Sequence, residues 1–391
     1  MNILENYGNN ENPKTAGEVI RHFREACYAA ATKELLEWRD GGGKVVGYYC
    51  SYVPEELVTA AGAVSVRLRA RTNPTTDAGD TYYGNLTCSY IRHSWDLAIK
   101  QKYDFIDGVI VPTACDSVRR IHDNWSRYLP TFSHQLVVPR RNHEESRKYF
   151  REELVLLKNT LERNLGTTIS DERLREAIRL HNRTRQLLRK LYELRKQKTP
   201  PISGADTLAV VVAGTGMPKE KYNALLEVLV AGLEKAPGLR EPRARLMVVG
   251  SCLDDPSYLD VVEAQGGLVV CDSLCFGSRI FAADVEENTS DLLDALVQQQ
   301  IACRPQCPHV SPFPPRAEYV EGLIKDYNVD GVICERMQMC DNWGMESYLL
   351  TNSVKLSAPI LTVDREYFSA ATGQLSTRVQ AFLESMEGAA R

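Results

Sequence analysis

The 391-residue sequence has no uninterrupted apolar run near 18 residues, and no basic segment followed by an apolar one at its N-terminus. A membrane span or secretion signal is therefore not expected, and the chain reads as cytoplasmic. It also lacks an excess of either charge. With a formal net charge of −4, and with Arg140-Arg141 and Arg147-Lys148 interleaved among Glu144, Glu145, Glu152 and Glu153, the basic clusters read as a solvated helix face. No nucleic-acid partner is expected. No G-x-x-x-x-G-K-[ST] loop is present. Gly41-Gly42-Gly43 precedes a strand where a dinucleotide fingerprint would follow one, and Ala213-Gly214-Thr215-Gly216, read as following a strand, is expected to be a tight turn. ATP, if it drives the chemistry, is hydrolysed elsewhere. His93, His122, His134 and His143 show neither HExxH nor nucleophile spacing, and no role is assigned to them. Paired C-x2-C spacing, which marks structural zinc, and contiguous ferredoxin spacing are both missing.

Cysteine, in contrast, is abundant. There are eleven, an odd number that disulfide pairing within one chain cannot use up, and cytoplasmic thiols seldom form structural disulfides. Several follow short apolar runs that read as parallel strands. Val45-Val46-Gly47-Tyr48-Tyr49 precedes Cys50, Val109-Ile110-Val111-Pro112 precedes Cys115, Met247-Val248-Val249-Gly250 precedes Cys252, and Gly331-Val332-Ile333 runs into Cys334 and Cys340. Ligands of open α/β sheets bind beyond the carboxyl ends of the strands. Thiolates gathered there suit a soft-metal centre, and the dispersed spacing favours an iron–sulfur cluster held between lobes.

The fold class is α/β: two Rossmann- or flavodoxin-like parallel-sheet lobes with an N-terminal helix and a helical linker. Residues 1–40 read as a polar leader and an amphipathic helix carrying Ile20, Phe23, Cys27 and Ala30. A first lobe covers 41–140, with strands at 44–49, 64–68 and 106–111. A linker over 141–204 holds charged helices at 144–165 and 171–197, the second opened by Ser170 with Asp171 and Glu172. Pro200-Pro201-Ile202-Ser203-Gly204 breaks the chain, and a second lobe covers 205–391, with strands near 207–213, 246–250, 268–271, 330–334 and 359–363.

The lobes read as diverged copies. Cys50 and Cys252 each end a Val-rich strand and have a proline four residues on, Pro54 and Pro256. Asp107-Gly108-Val109-Ile110 leads to Cys115-Asp116, and Asp330-Gly331-Val332-Ile333 leads to Cys340-Asp341. Two such lobes facing each other bring their strand-end cysteines into one cleft. Cys27, Cys271 and Cys334 read as small buried hydrophobes. Cys252 is a reserve ligand, and of Cys303 and Cys307 at least one is expected to be a ligand, with Cys307 preferred. Tyr48, Tyr49, Tyr52, Tyr82, Tyr83 and Tyr90 are expected to pack rather than touch substrate.

The stretches Gly47–Leu57 with Ala60–Ala63, then Cys88, Pro112–Asp116, Asp330–Ile333, Met339–Asp341, Thr362–Asp364 and Gly373–Arg378 together resemble the 2-hydroxyacyl-CoA dehydratase / benzoyl-CoA reductase family, over nearly the whole chain. The resemblance implies that Cys88, Cys115 and Cys340 hold a 4Fe-4S cubane. Cys50, Cys275 and Cys307 occupy positions like those of the double-cubane branch, in which six cysteines hold an 8Fe-9S cluster. It further implies a sister subunit or a second copy of the chain, an ATP-hydrolysing iron–sulfur activator fed by ferredoxin, and an acyl-CoA substrate. The first expectation is a benzoyl-CoA reductase subunit. The alternatives are a 2-hydroxyacyl-CoA dehydratase subunit, a homodimeric double-cubane reductase of small molecules, and a non-catalytic electron-transfer or metallochaperone module.

Overall fold

The structure, a computed structural model, describes residues 13–368 and 372–389. Residues 1–12 of the expected polar leader lie outside the described residues. Two four-stranded parallel sheets form the frame. The first contains β1 (Lys44–Tyr48), β2 (Ala63–Arg67), β3 (Gly108–Pro112) and β4 (Phe132–Leu136), in the order β2-β1-β3-β4. The second contains β5 (Ala244–Gly250), β6 (Gly267–Ser273), β7 (Gly331–Met337) and β8 (Ile360–Arg365), in the order β6-β5-β7-β8. Strands β2, β3 and β6 are buried along their whole length, which is why they read as apolar runs rather than alternating patterns.

The helices, in chain order, are α1 (Ala16–Tyr28), α2 (Lys33–Asp40), α3 (Glu55–Ala60), α4 (Ser89–Ile99), α5 (Asp116–Tyr128), α6 (Glu144–Leu165), α7 (Asp171–Leu194), α8 (Gly204–Gly214), α9 (Lys219–Leu233), α10 (Pro256–Glu263), α11 (Leu292–Val297), α12 (Pro314–Asp326), α13 (Asp341–Asn352) and α14 (Thr372–Ala389). Among the described residues no helix is long and apolar enough to cross a membrane.

The duplication read from sequence is visible in atomic detail. In the first lobe the Asp107 carboxylate accepts from the Val45 N–H at 2.8 Å, and the Asp107 N–H donates back to the Val45 carbonyl at 2.7 Å. In the second lobe Asp330 makes the same pair of bonds with Arg245, at 2.7 and 2.8 Å. Each aspartate thus sets the register of the third strand against the first. The glycine that follows has a steric reason: a Cβ on Gly108 would collide with the Phe132 ring, and one on Gly331 would press on Phe382 and Met386.

Two features depart from the sequence reading. Residues 207–213 are not a strand; they lie in α8, so Ala213–Gly216 closes a helix rather than following a strand. The segment is apolar on every side, and periodicity does not separate a fully buried helix from a buried strand. Ser203 settles the matter locally by capping the helix through the Asp206 N–H, and α8 is then enclosed by α1, α10 and β6. The second departure is β4, absent from the reading because Phe-Ser-His-Gln-Leu is polar. It is only partly buried at the edge of its sheet, and so has no need of an apolar run.

Helix α7 ties the lobes together. Its Arg185 pairs with the buried Glu56 of α3, Tyr192 Oη donates to Asp272 in β6 at 2.5 Å, and Arg195 donates to the Val269 carbonyl at 2.7 Å. The strand pins generate a test. Asp330→Ala should cost about 1 kcal/mol and Asp107→Ala roughly 2 kcal/mol, because Asp107 also accepts from Arg39 and Lys44. The double variant should show the sum, as expected for separated sites. Denaturant unfolding of the three variants checks both the magnitudes and the additivity.

A candidate thiol cleft between the lobes

Each lobe carries a cysteine beyond its first strand (Cys50, Cys252), one between its second and third (Cys88, Cys275), and one beyond its third (Cys115, Cys340). Cys307 has no counterpart. Because all strands are parallel and the sheets share one order, these positions meet where the strand ends of the two lobes face each other. The Asn342 side chain donates to the Ala114 carbonyl at 3.1 Å, and the Tyr367 N–H donates to Ser89 Oγ at 2.9 Å, closing the lobes on either side of the thiols.

Cys88, Cys115 and Cys340 gather against one core cluster, and Cys50 and Cys307 against a neighbouring one. The first three stand at the N-cap positions of α4, α5 and α13, where exposed N–H groups and the helix dipole favour negative charge. Cys115 Sγ accepts from the Val118 N–H at 3.4 Å. Burial pushes all three thiols upward, and at Cys115 and Cys340 the neighbouring Cys88 adds to the effect. Backbone conformation aims two of the thiols. Cys50 itself has φ +62°, and Met339, just before Cys340, has φ +60°, both in a left-handed region that non-glycine residues occupy at a cost.

Cys50, Cys275 and Cys307 are joined by their charges: Cys307 and Cys275 both raise Cys50, after burial, to about 11. Cys252 Sγ lies 3.7 Å from Cys275 Sγ. The S–H of Cys252 and the Arg67 guanidinium hold Cys275 well below the ordinary thiol range, while the same hydrogen bond and burial push Cys252 well above it. The cleft therefore contains seven thiols, the six expected plus the reserve candidate Cys252. Cys303, exposed at the end of the π-helical turn Gln298–Cys303, stands apart from them, and Cys27, Cys271 and Cys334 are buried in core clusters.

Three arginines escaped the sequence reading. Arg67, Arg279 and Arg304 are only 2%, 4% and 5% exposed, and none forms an ion pair with a carboxylate among the described residues. Arg67 reaches from β2 across the cleft, donating to Cys275 Sγ at 3.1 Å and to its carbonyl, with its guanidinium 3.5 Å above the Phe276 ring. Arg304 donates to the Ser51 carbonyl at 2.7 Å and lies over Tyr52. Arg279 stacks on Trp343, and its charge is felt by Cys307, Cys275 and Cys50. One signal was available: an arginine inside the buried strand Ala63–Arg67 has no reason to be there without an anion. Tyr52 is the exception among the tyrosines. Its hydroxyl accepts from the Cys307 N–H at 3.3 Å, whereas Tyr49 bonds to Ser94 and Tyr90 to the Leu68 carbonyl, in packing roles.

Buried thiols beside unpaired guanidiniums are costly unless the protons are replaced by metal, and the donor set is soft. Among the described residues no three His, Cys, Asp or Glu side chains stand at the spacing that holds a single metal ion. Thiolates of a cluster bind different irons and stand further apart, so the dispersed set is compatible with a cluster and not with a zinc knuckle.

Comparison with known proteins agrees with this picture in outline. The profile of the family described as 2-hydroxyglutaryl-CoA dehydratase, D-component, matches residues 50–386. A provisionally named dehydratase subunit, YjiM of Escherichia coli (strain K12), is 30% identical, with 90% of this chain and 94% of the relative covered. The beta subunit of (R)-2-hydroxyglutaryl-CoA dehydratase from Acidaminococcus fermentans is 25% identical, covering 94% of this chain and 99% of its own. A benzoyl-CoA reductase subunit from Thauera aromatica is 24% identical, covering 81% of this chain and 84% of its own.

The 3.7 Å contact between Cys252 and Cys275 leads to a prediction. A thiolate at Cys275 beside a thiol at Cys252 is placed for thiol–disulfide chemistry. Treating iron-free chain with diamide should link these two before any other pair, including pairs with the more exposed Cys303. Peptide mass mapping of the first-formed disulfide is the check.

Proposed function

The chain belongs to the 2-hydroxyglutaryl-CoA dehydratase D-component family, and from that premise we propose that it is the iron–sulfur subunit of an ATP-dependent, low-potential reductase of the benzoyl-CoA reductase kind. The observation that carries this reading is the second set of thiols. A single 4Fe-4S cubane needs only Cys88, Cys115 and Cys340. Cys50, Cys275 and Cys307 would serve no purpose in such a protein, and neither would three buried guanidiniums around them. In this reading the first trio holds one cubane and the second trio the other, as an 8Fe-9S double cubane. When bound, such a cluster supplies low-potential electrons and can store more than one.

The chain's own residues set the conditions. Arg67 keeps Cys275 as the thiolate and offsets the negative charge of three buried sulfurs together with Arg279 and Arg304. The helix ends of α4, α5 and α13 do the same for the first trio. The Tyr52 hydroxyl and the Arg304 bond to Ser51 hold the loop bearing Cys307 against the first lobe. The reading brings with it a sister subunit or a second copy of this chain, a separate ATP-hydrolysing activator with ferredoxin upstream, and an acyl-CoA substrate.

One observation favours a second reading. The 3.7 Å approach of Cys252 to Cys275 is short for sulfurs on different irons and would withdraw Cys275 from a ligand set. The protein would then carry one 4Fe-4S cubane on the first trio and act as a 2-hydroxyacyl-CoA dehydratase subunit.

Iron content separates the two. Anaerobically purified protein should contain about eight irons per chain in the first reading and about four in the second. Cys88→Ala, Cys115→Ala and Cys340→Ala should lose or deplete the cluster. Cys50→Ala, Cys275→Ala and Cys307→Ala should fall toward a four-iron form, and Cys252→Ala should match the parent. Cys27→Ala and Cys334→Ala should keep their iron and lose roughly 1–2 kcal/mol of packing energy. If the second trio's variants match the parent, the double cubane is wrong. Zinc without iron would overturn both readings.

A further inference from the structure

A cavity of about 390 Å³ opens beside the thiol cleft, between the end of the π-helical turn Gln298–Cys303 with the loop that follows it, the start of α12 and the face of α13. That is the size of a small-molecule site. Its charges do not balance. Arg316 and Glu346, both in the lining, neutralise each other through two parallel bonds of 2.8 and 2.7 Å. Arg279 and Arg304 also line it, nearly fully buried and without a carboxylate partner among the described residues. Arg304 spends its bonds on the Gln300 and Ser51 carbonyls. Arg279 does not: its Nη2 is buried and has no hydrogen-bond partner among the described residues. The thiols feel its charge, but none is seen to accept a hydrogen bond from it: it is Arg67 that reaches Cys275 Sγ.

The rest of the wall says what kind of anion fits. Ile301, Val310, Val320 and Leu350 make it apolar, and Trp343 flanks the Arg279 guanidinium with centroid and carbon 5.5 Å apart. Pro305, Pro308, Pro312 and Pro315 contribute no backbone N–H of the kind that cradles phosphate, and the other donors in the lining, on Asn142, Ser273, Gln306, Ser311 and Tyr319, are neutral. A planar guanidinium matches a carboxylate edge to edge. We propose that this cavity is a binding site for a small organic carboxylate with an apolar body, received by Arg279. The inference goes beyond the cluster reading and does not rest on it, since it needs only the cavity and the arginines.

Isothermal titration of the anaerobically purified full chain tests it, using benzoate, its neutral isostere benzamide, and inorganic phosphate as probes. Benzoate should bind, with benzamide and phosphate each weaker by roughly tenfold or more, the loss expected for a charge-assisted hydrogen-bonded pair. Arg279→Gln should weaken benzoate by a similar factor, and Arg279→Lys by less. Thermal unfolding and iron assay on each variant keep folding and cluster content separate from binding. Should Arg279→Gln fail to fold, the benzoate–benzamide contrast on the parent chain decides alone. A carboxylate at the end of an acyl thioester presents the same group, so glutarate and glutaryl-CoA form a further arm. Tighter binding of glutaryl-CoA assigns the carboxylate to a thioester, and equal or weaker binding assigns it to a free acid. Benzoate and benzamide binding alike, benzoate binding unchanged in Arg279→Gln, or no binding by folded protein would each overturn the proposal.

Discussion

A fully buried guanidinium that crosses from one lobe to the other is the constraint around which this protein is built. Arg67 leaves the end of β2, passes over the Phe276 ring and ends on the carbonyl and sulfur of Cys275 in the opposite lobe. Removing a cation from water costs several kcal/mol unless an anion or a full set of acceptors replaces the lost hydration. Here the replacement is the Cys275 sulfur, which the cation and the Cys252 S–H hold well below the ordinary thiol range. Neither lobe can satisfy its own half of that requirement, so the charge pair makes the apposition of the lobes part of the fold rather than an option.

The same logic extends outward. Arg279 and Arg304 enclose the second group of thiols, and helix ends point at the first. One side of the cleft is served by full charges and the other by backbone dipoles. The two are not equivalent: a helix end stabilises charge modestly and locally, whereas a desolvated guanidinium acts strongly over a longer reach. The asymmetry is laid over a symmetric frame, in which corresponding strands, aspartate pins and strand-end cysteines recur in both lobes. Divergence has left Cys252 where Cys50 stands in the other copy, but within contact of Cys275, and has added Cys307 on a loop of its own.

Rigidity comes from α7. With Arg185 on Glu56 of the first lobe, and Tyr192 in its last turn and the capping Arg195 on β6 of the second, one long helix is bonded to both lobes. Cluster ligands spread over both lobes, as the proposed function requires, would demand such a brace, because a small change in separation would pull thiolates off different irons. The carboxylate cavity lies against the same frame. Arg279 stands between it and the thiols, so an anion bound there would be felt electrostatically at the cleft.

Much of this was legible in the residues. The Val-rich runs ending in cysteine, the repeated Asp-Gly-Val-Ile, and Ser170 opening a long charged helix each report a local cause: burial on both faces, a register pin with no room for a side chain, a capped helix start. Even Cys27, on the apolar stripe of an amphipathic helix, and Cys271 and Cys334, inside apolar strand runs, declared themselves as core. Where local signals were equivocal the reading failed, as at α8, whose valines suit a buried strand as well as a buried helix, and at β4, whose edge position frees it from any apolar pattern. What no window of sequence contains is which distant charges meet. That Arg67 lies on Cys275, 208 residues away, that Cys252 meets Cys275 across 23 residues, and that Arg279 is left with an unpaired N–H beside a cavity were decided only when separate segments were packed together. Periodicity records how much of a side chain is buried. The partner it is buried against is set by the tertiary fold.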